Sequence, residues 1–244
     1  MRILVVNVNT TESMTAVIRE QSERVAAPGT EIVALTPFFG PESVEGNFES
    51  YLAAAAVMDR VLAYGLPYDA VVQAGFGEHG REGLQELLDV PVIDITEASA
   101  HVACLLGHKY SVVTTLHRAI PQIEDRLRIA GLLERCASIR ASGLGVLELE
   151  DDTGRAVDAI AAEAVRAVRE DHAEVICLGC GGMAGLDEKV RAATGTPVVD
   201  GVAAAVKLAE ALVGLGLSTS KTGTYAPPRP KRITGWPISA ERKE

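Results

Sequence analysis

The sequence predicts an α/β protein of two pseudo-symmetric lobes, each a mostly parallel sheet flanked by helices, with a cleft between them. Three observations carry this. Near-continuous Val/Ile/Leu runs alternate with helical patterns from end to end, as strands buried on both faces and their crossover helices do. The composition is that of a globular protein, 48% hydrophobic and 23% charged, and with only 4% aromatics the core must be Ala, Val, Leu and Ile. Equivalent strand ends also recur at one spacing, since Asn9 to Gly75 spans 66 positions and Thr114 to Cys180 spans 66. That recurrence suggests a duplication facing itself.

The elements follow in order. Strands are expected at 2–7, 31–36, 69–74, 91–95, 110–114, 142–148, 174–179 and 197–199. Helices are expected at 12–26, 49–64, 81–88, 97–106, 118–132, 154–170, 185–193 and 203–214. Thr96 can N-cap the 97–106 helix and Gly107 can close it. The tail 215–244 is rich in Pro, Gly and basic residues and reads as an extended segment packed along one lobe. One lobe comprises 1–97 plus about 205–244, and the other 98–204.

A net charge of −10 without a basic stripe argues against nucleic acid as a partner. The opening run MRILVVNVN is too short for a secretory signal, with Asn7 and Asn9 interrupting it, and no stretch has the length of a membrane span. A cytoplasmic protein acting on a small molecule is expected. Four cysteines without a secretory signal argue against a disulfide framework. Cys177 lies inside an apolar strand and Cys180 just beyond it, so the C-x-x-C reads as one core thiol and one strand-end thiol rather than a redox pair. No ligand set at metal spacing accompanies them.

Two segments could carry chemistry. GFGEHG at 75–80 matches G-x-G-x-x-G between a strand and a helix, the dinucleotide-binding context. Three features count against that reading: it lies in a later βα unit, precedes a short helix and carries His79 where phosphates would lie. GCGGM at 179–183 puts Cys180 at a strand–loop junction, where Gly181 and Gly182 leave backbone N–H groups uncovered. Such groups can hold an oxyanion or enolate and favour thiolate, whereas a buried structural cysteine beside a tight turn is the alternative.

Longer blocks resemble the aspartate/glutamate/hydantoin racemase superfamily. RILVVNVNTTESMT is similar to its N-P-N-T-S-x-x-M-T opening, with Val8 for Pro, and GPESVEG at 40–46 to its G-P-x-S-I-E segment. SVVTT at 111–115, LGCGGM at 178–183 and DGVAAAVKLAEALVGLGLSTSK at 200–221 complete the resemblance, which is nearest to the hydantoin and allantoin branch. It implies a cofactor-independent enzyme with its site between the lobes, where one thiolate removes the α-proton and an opposed thiol returns one. Relatives assemble, so the resemblance extends to a homo-oligomer. Position by position, Cys180 matches the second thiol, and Asn9, Thr10, Thr114 and Thr115 match substrate-contacting positions. Gly181 and Gly182 offer backbone donors, and Gly75, Phe76 and Gly77 belong to the opposite wall. Val44, Asn47 and Phe48 are further candidates for the lining.

One position departs from the pattern. The family's first thiol lies in a segment like A-C-F-G-D-P-G, which reads AGFGEHG here, so Gly75 stands in its place. Three readings follow. Glu78 or His79 replaces the missing thiol and racemisation survives. Alternatively, Cys180 acts alone, as in a decarboxylase resembling arylmalonate decarboxylase, which pairs Gly with C-G-G. A third option is a cleft that binds ligand without chemistry. The sequence favours the first: proton transfer at the α-carbon of a hydantoin- or allantoin-like compound or a related small carboxylate.

Overall fold

The computed structural model describes residues 1–235; residues 236–244, the last part of the tail assigned to the first lobe, lie outside the described residues. Two wholly parallel four-stranded sheets form the framework. In one, β1 (Arg2–Val6), β2 (Glu31–Leu35), β3 (Ala70–Gln73) and β4 (Val92–Asp94) lie in the order β2-β1-β3-β4. In the other, β5 (Tyr110–Thr114), β6 (Cys136–Ala141), β7 (Val175–Leu178) and β8 (Val198–Asp200) lie in the order β6-β5-β7-β8. The orders are the same, and β3 and β7 hold equivalent places. The repeated spacing in the sequence reflects this.

Nine α-helices among the described residues cover the sheets: α1 (Glu12–Val25), α2 (Asn47–Leu62), α3 (Arg81–Leu87), α4 (Ile95–Leu106), α5 (Ile120–Ile129), α6 (Glu148–Asp151), α7 (Thr153–Glu170), α8 (Asp187–Thr194) and α9 (Gly201–Gly214). In α7 the buried residues Ala156, Ile160, Ala164 and Ala167 recur every three or four positions, and the Asp152 carboxylate caps its first turn from 3.0 Å. Covered on both faces, the central strands are continuously apolar, and Ile3 to Val6 and Val175 to Leu178 are fully buried or nearly so.

Two helices cross over. α4 follows the last strand of the first sheet yet packs on β5, β7 and β8 of the second. α9 follows the last strand of the second sheet and packs on β3, β4 and α1 of the first. The two helices lie against each other, and Gly201 is so near Ile95 that a β-carbon there would stand 2.9 Å from the Ile95 carbonyl oxygen. Each begins with an aspartate supplied by the preceding strand. Asp94 accepts from the N–H groups of Thr96 and Glu97 at 2.8 Å, and Asp200 from that of Ala203 at 3.0 Å.

Two local expectations need correction. Asp94, not Thr96, is the N-cap of α4, and Thr96 instead accepts from the Gly77 N–H at 2.8 Å. The strand expected at 142–148 is displaced to β6, because CASIRA is an edge strand whose Ser138 and Arg140 disguise its pattern. Arg140 projects to Asp171, Glu163 and Glu170, and the apolar Leu144, Val146 and Leu149 are buried in the loop and short helix that follow. Cys136 thus begins a strand, and Cys104 lies in α4. No described helix is long and apolar enough to cross a membrane.

Candidate active site

The carboxyl ends of β1, β3, β5 and β7 converge on one cavity, where open parallel sheets receive ligands. The first sheet contributes Asn7, Val8 and Asn9 after β1 and Ala74, Gly75, Phe76 and His79 after β3. The second contributes Thr114 and Thr115 from the end of β5 and Gly179 to Gly182 after β7. Val44 and Glu45 before α2, Ala119 and Gln122 at the start of α5, and Val146 before α6 complete it, with Met14 of α1.

The β1 loop is held by its own amides. Asn7 Oδ1 accepts from the Val8 N–H at 2.8 Å, while Asn7 Nδ2 donates to Asn9 Oδ1 at 2.8 Å and to Thr15 Oγ1 at 3.0 Å. Asn9 Oδ1 also accepts from the Thr11 N–H, and its Nδ2 reaches the Met14 sulfur at 3.1 Å. This network fixes both asparagines in buried positions on the cavity wall.

Cys180 follows β7 in an extended conformation (φ −160°) and precedes a short turn, Gly181–Met183. That turn presses on the other wall: a β-carbon at position 181 would lie 2.5 Å from the Ala74 carbonyl oxygen, so only glycine permits the approach. Burial pushes the Cys180 thiol up to about 11, the Glu45 carboxylate adds to the shift, and the Gly182 and Met183 N–H groups oppose it. Cys180 is therefore a thiol at neutral pH. Beside it, Thr114 Oγ1 donates to the Gly179 carbonyl at 3.0 Å.

Gly75 stands at the equivalent end of β3. A β-carbon there would collide with His79 Cδ2 and meet Val8 Cγ1 at 2.5 Å and Gln73 Nε2 at 2.8 Å. His79 thus fills the volume a larger residue at 75 would need. His79 is 3% exposed, and its Nδ1 lies 3.1 Å from Ser50 Oγ, which itself donates to the Glu78 carbonyl. Burial pulls His79 down to about 4, leaving it neutral. The Gln73 carboxamide is fully buried, and neither its nitrogen nor its oxygen has a hydrogen-bond partner among the described residues.

Glu78 points elsewhere. Its carboxylate meets Arg126 at 2.9 Å, in a cluster where Arg126 and Arg81 share Glu82, Asp94 and Glu97. Burial, with Glu82 alongside, raises Glu78 to about 7. Of the residues singled out from sequence, Cys180, His79, Asn9, Gly75, Phe76, Thr114, Thr115, Gly181, Gly182 and Val44 line the cavity. Thr10 lies outside it, tethered by its N–H and hydroxyl to the Pro41 carbonyl, and Gly77 outside it with a left-handed φ of 128°. Asn47 bonds Gln122 at the rim, and Phe48 is largely exposed. Glu45, Gln122 and Val146 were not anticipated. Among the described residues, no group of three or more His, Cys, Asp or Glu is arranged to hold a metal ion.

A family model for Asp/Glu/hydantoin racemases matches residues 3–209. A hydantoin racemase of Pseudomonas sp. (strain NS671) is 39% identical, covering 96% of this chain and 95% of its own. The crystal structure of an allantoin racemase from Pseudomonas fluorescens superposes with a TM-score of 0.95 at 71% identity, covering 96% of this chain and all of that one. An arylmalonate decarboxylase structure, at 18% identity and a TM-score of 0.60 over 92% of this chain and 97% of its own, shares the fold.

Proposed function

Because the chain belongs to the Asp/Glu/hydantoin racemase family and, by its likeness to named hydantoin and allantoin racemases, is an isomerase, we propose that it racemises a hydantoin- or allantoin-like ring through Cys180 and His79. One observation carries the assignment of these groups. They line a single cavity from the equivalent strands β3 and β7, and His79 occupies the volume of the missing side chain at Gly75, where the family resemblance puts the first thiol.

Racemisation needs one group ready to accept a proton and an opposed group ready to give one. Neutral His79 is the acceptor and the Cys180 thiol the donor. After one turnover His79 carries the proton and Cys180 is thiolate, which is the state required for the reverse direction. The ring carbon to be deprotonated lies between a carbonyl and a nitrogen. Charge building on that carbonyl oxygen is received by N–H donors of the Gly181–Gly182 turn and by the Asn9 and Thr115 side chains. Glu78, committed to Arg126, takes no part.

Exchange of the ring α-hydrogen in heavy water tests this. Exchange accompanied by racemisation is expected, with Cys180→Ser and His79→Asn each lowering the rate about 100-fold or more. The rate should stay flat between about 4, where His79 gains a proton and ceases to accept, and about 11, where Cys180 loses the one it donates. An inflection near 7 would implicate Glu78 in place of His79. Exchange with retained configuration would show that Cys180 works alone.

A further inference from the structure

We infer that Glu45 selects the charge of the substrate, admitting a neutral ring that presents N–H donors and turning away ligands that carry a carboxylate. This rests on the racemase reading and deepens it. Among the described residues lining the cavity, Glu45 is the one carboxylate and there is no Lys or Arg. Glu45 Oε1 accepts from the Val146 N–H at 2.8 Å, a bond between residues 101 positions apart that fixes the carboxylate from the opposite half of the molecule. Its other oxygen makes no hydrogen bond within the described protein and is available to a ligand.

The surroundings reinforce the negative charge. Glu148 accepts from the Gly145 N–H at 2.6 Å, next to Val146, so two carboxylates converge on this loop. Arg118 lies against Gly46 outside the lining, and no ion pair joins it to Glu45. His79 is neutral and Asn7, Asn9, Gln122 and both threonines carry no charge. A carboxylate brought here would lose water and face like charge with no cation in the described lining to receive it. A ring N–H would instead donate a charge-assisted hydrogen bond to Glu45. Amino acids and malonates are poor fits to such a lining, and neutral cyclic ureides are good ones.

Calorimetric titration with a 5-alkylhydantoin and its 5-carboxymethyl counterpart tests the inference. The native protein should bind the neutral ring at least about tenfold more tightly than the anionic one. Glu45→Gln keeps an acceptor for Val146 but loses the charge, and should weaken the neutral ring roughly tenfold while bringing the two rings to near parity. Glu45→Asp, which retains the charge, should keep the native preference. Equal binding of both rings by the native protein, or an unchanged ratio in Glu45→Gln, would overturn the inference. If neither ring binds, this inference falls together with the racemase reading; if solvent exchange proceeds in the native protein but Glu45→Gln leaves selectivity unaltered, it falls alone.

Discussion

At the scale of single residues, position 75 is defined by what crowds it. Val8 Cγ1, His79 Cδ2 and Gln73 Nε2 all lie closer to a built β-carbon than packed atoms come, and Val8 is stiff at χ1. Gly75→Ala should therefore destabilise the protein by about 1–3 kcal/mol, measured by urea unfolding. Adding Val8→Ala should recover part of that loss, because the two changes share one volume. Gly75→Cys alone would push the imidazole aside, so a cysteine there tests the two-thiol arrangement only together with replacement of His79. Glu45 acts on Cys180 at a distance. Removing its charge with Glu45→Gln lowers the thiol's ionisation range, so alkylation of Cys180 by iodoacetamide should begin at lower pH than in the native protein. An unmoved alkylation profile would deny the two groups any electrostatic contact.

Elements were legible in the sequence wherever burial is two-sided or a period is regular. The β5 strand lies at the expected residues, 110–114, and α7 differs from expectation by one residue at its start, because core strands and amphipathic helices announce themselves locally. β6 did not, because Ser138 and Arg140 break its apolar pattern in an edge strand whose residues are half-buried up to Ala141. The strand-end residues Asn9, Thr114 and Cys180 could be found from position and spacing. Glu45, Gln122 and Val146 could not, because they reach the cavity through loops whose contacts span up to 101 positions. The β3–α3 connection, whose glycines only mimic a dinucleotide fingerprint, is where His79 faces the cavity and Glu78 turns to Arg126. That arginine, 1% exposed at its side chain, joins α5 to α3, β4 and α4. Arg126→Met should cost about 3–5 kcal/mol in urea unfolding, because Arg81 alone is then left to offset Glu82, Glu97 and the fully buried Asp94. Arg126→Lys should not restore it, since one ammonium cannot serve Glu78, Glu82, Asp94 and Glu97 with a fork of donors.

At the scale of the whole molecule, the halves are held together by more than the cavity they share. Glu45 bonds Val146, Ser13 Oγ donates to Glu150 at 2.7 Å, Gln21 Nε2 donates to Asp200 at 2.9 Å, and α4 and α9 exchange sheets. Removing residues 201–244 should therefore disrupt the first sheet's packing although every strand of that sheet remains, and the truncated chain should lack a cooperative thermal transition. A separate peptide spanning α9 would restore one if the crossover helix is what is missing. The exchanged helices give one chain the layout of a pair of identical subunits that have traded their terminal segments. In such a pair, symmetry would impose any change in one wall on the other. Joining the halves in a single gene product lifts that constraint, and the two ends of the cavity are free to diverge. A thiol, Cys180, stands at the end of β7, while the equivalent end of β3 carries a glycine backed by an imidazole, so the two walls differ in chemistry within symmetry of form.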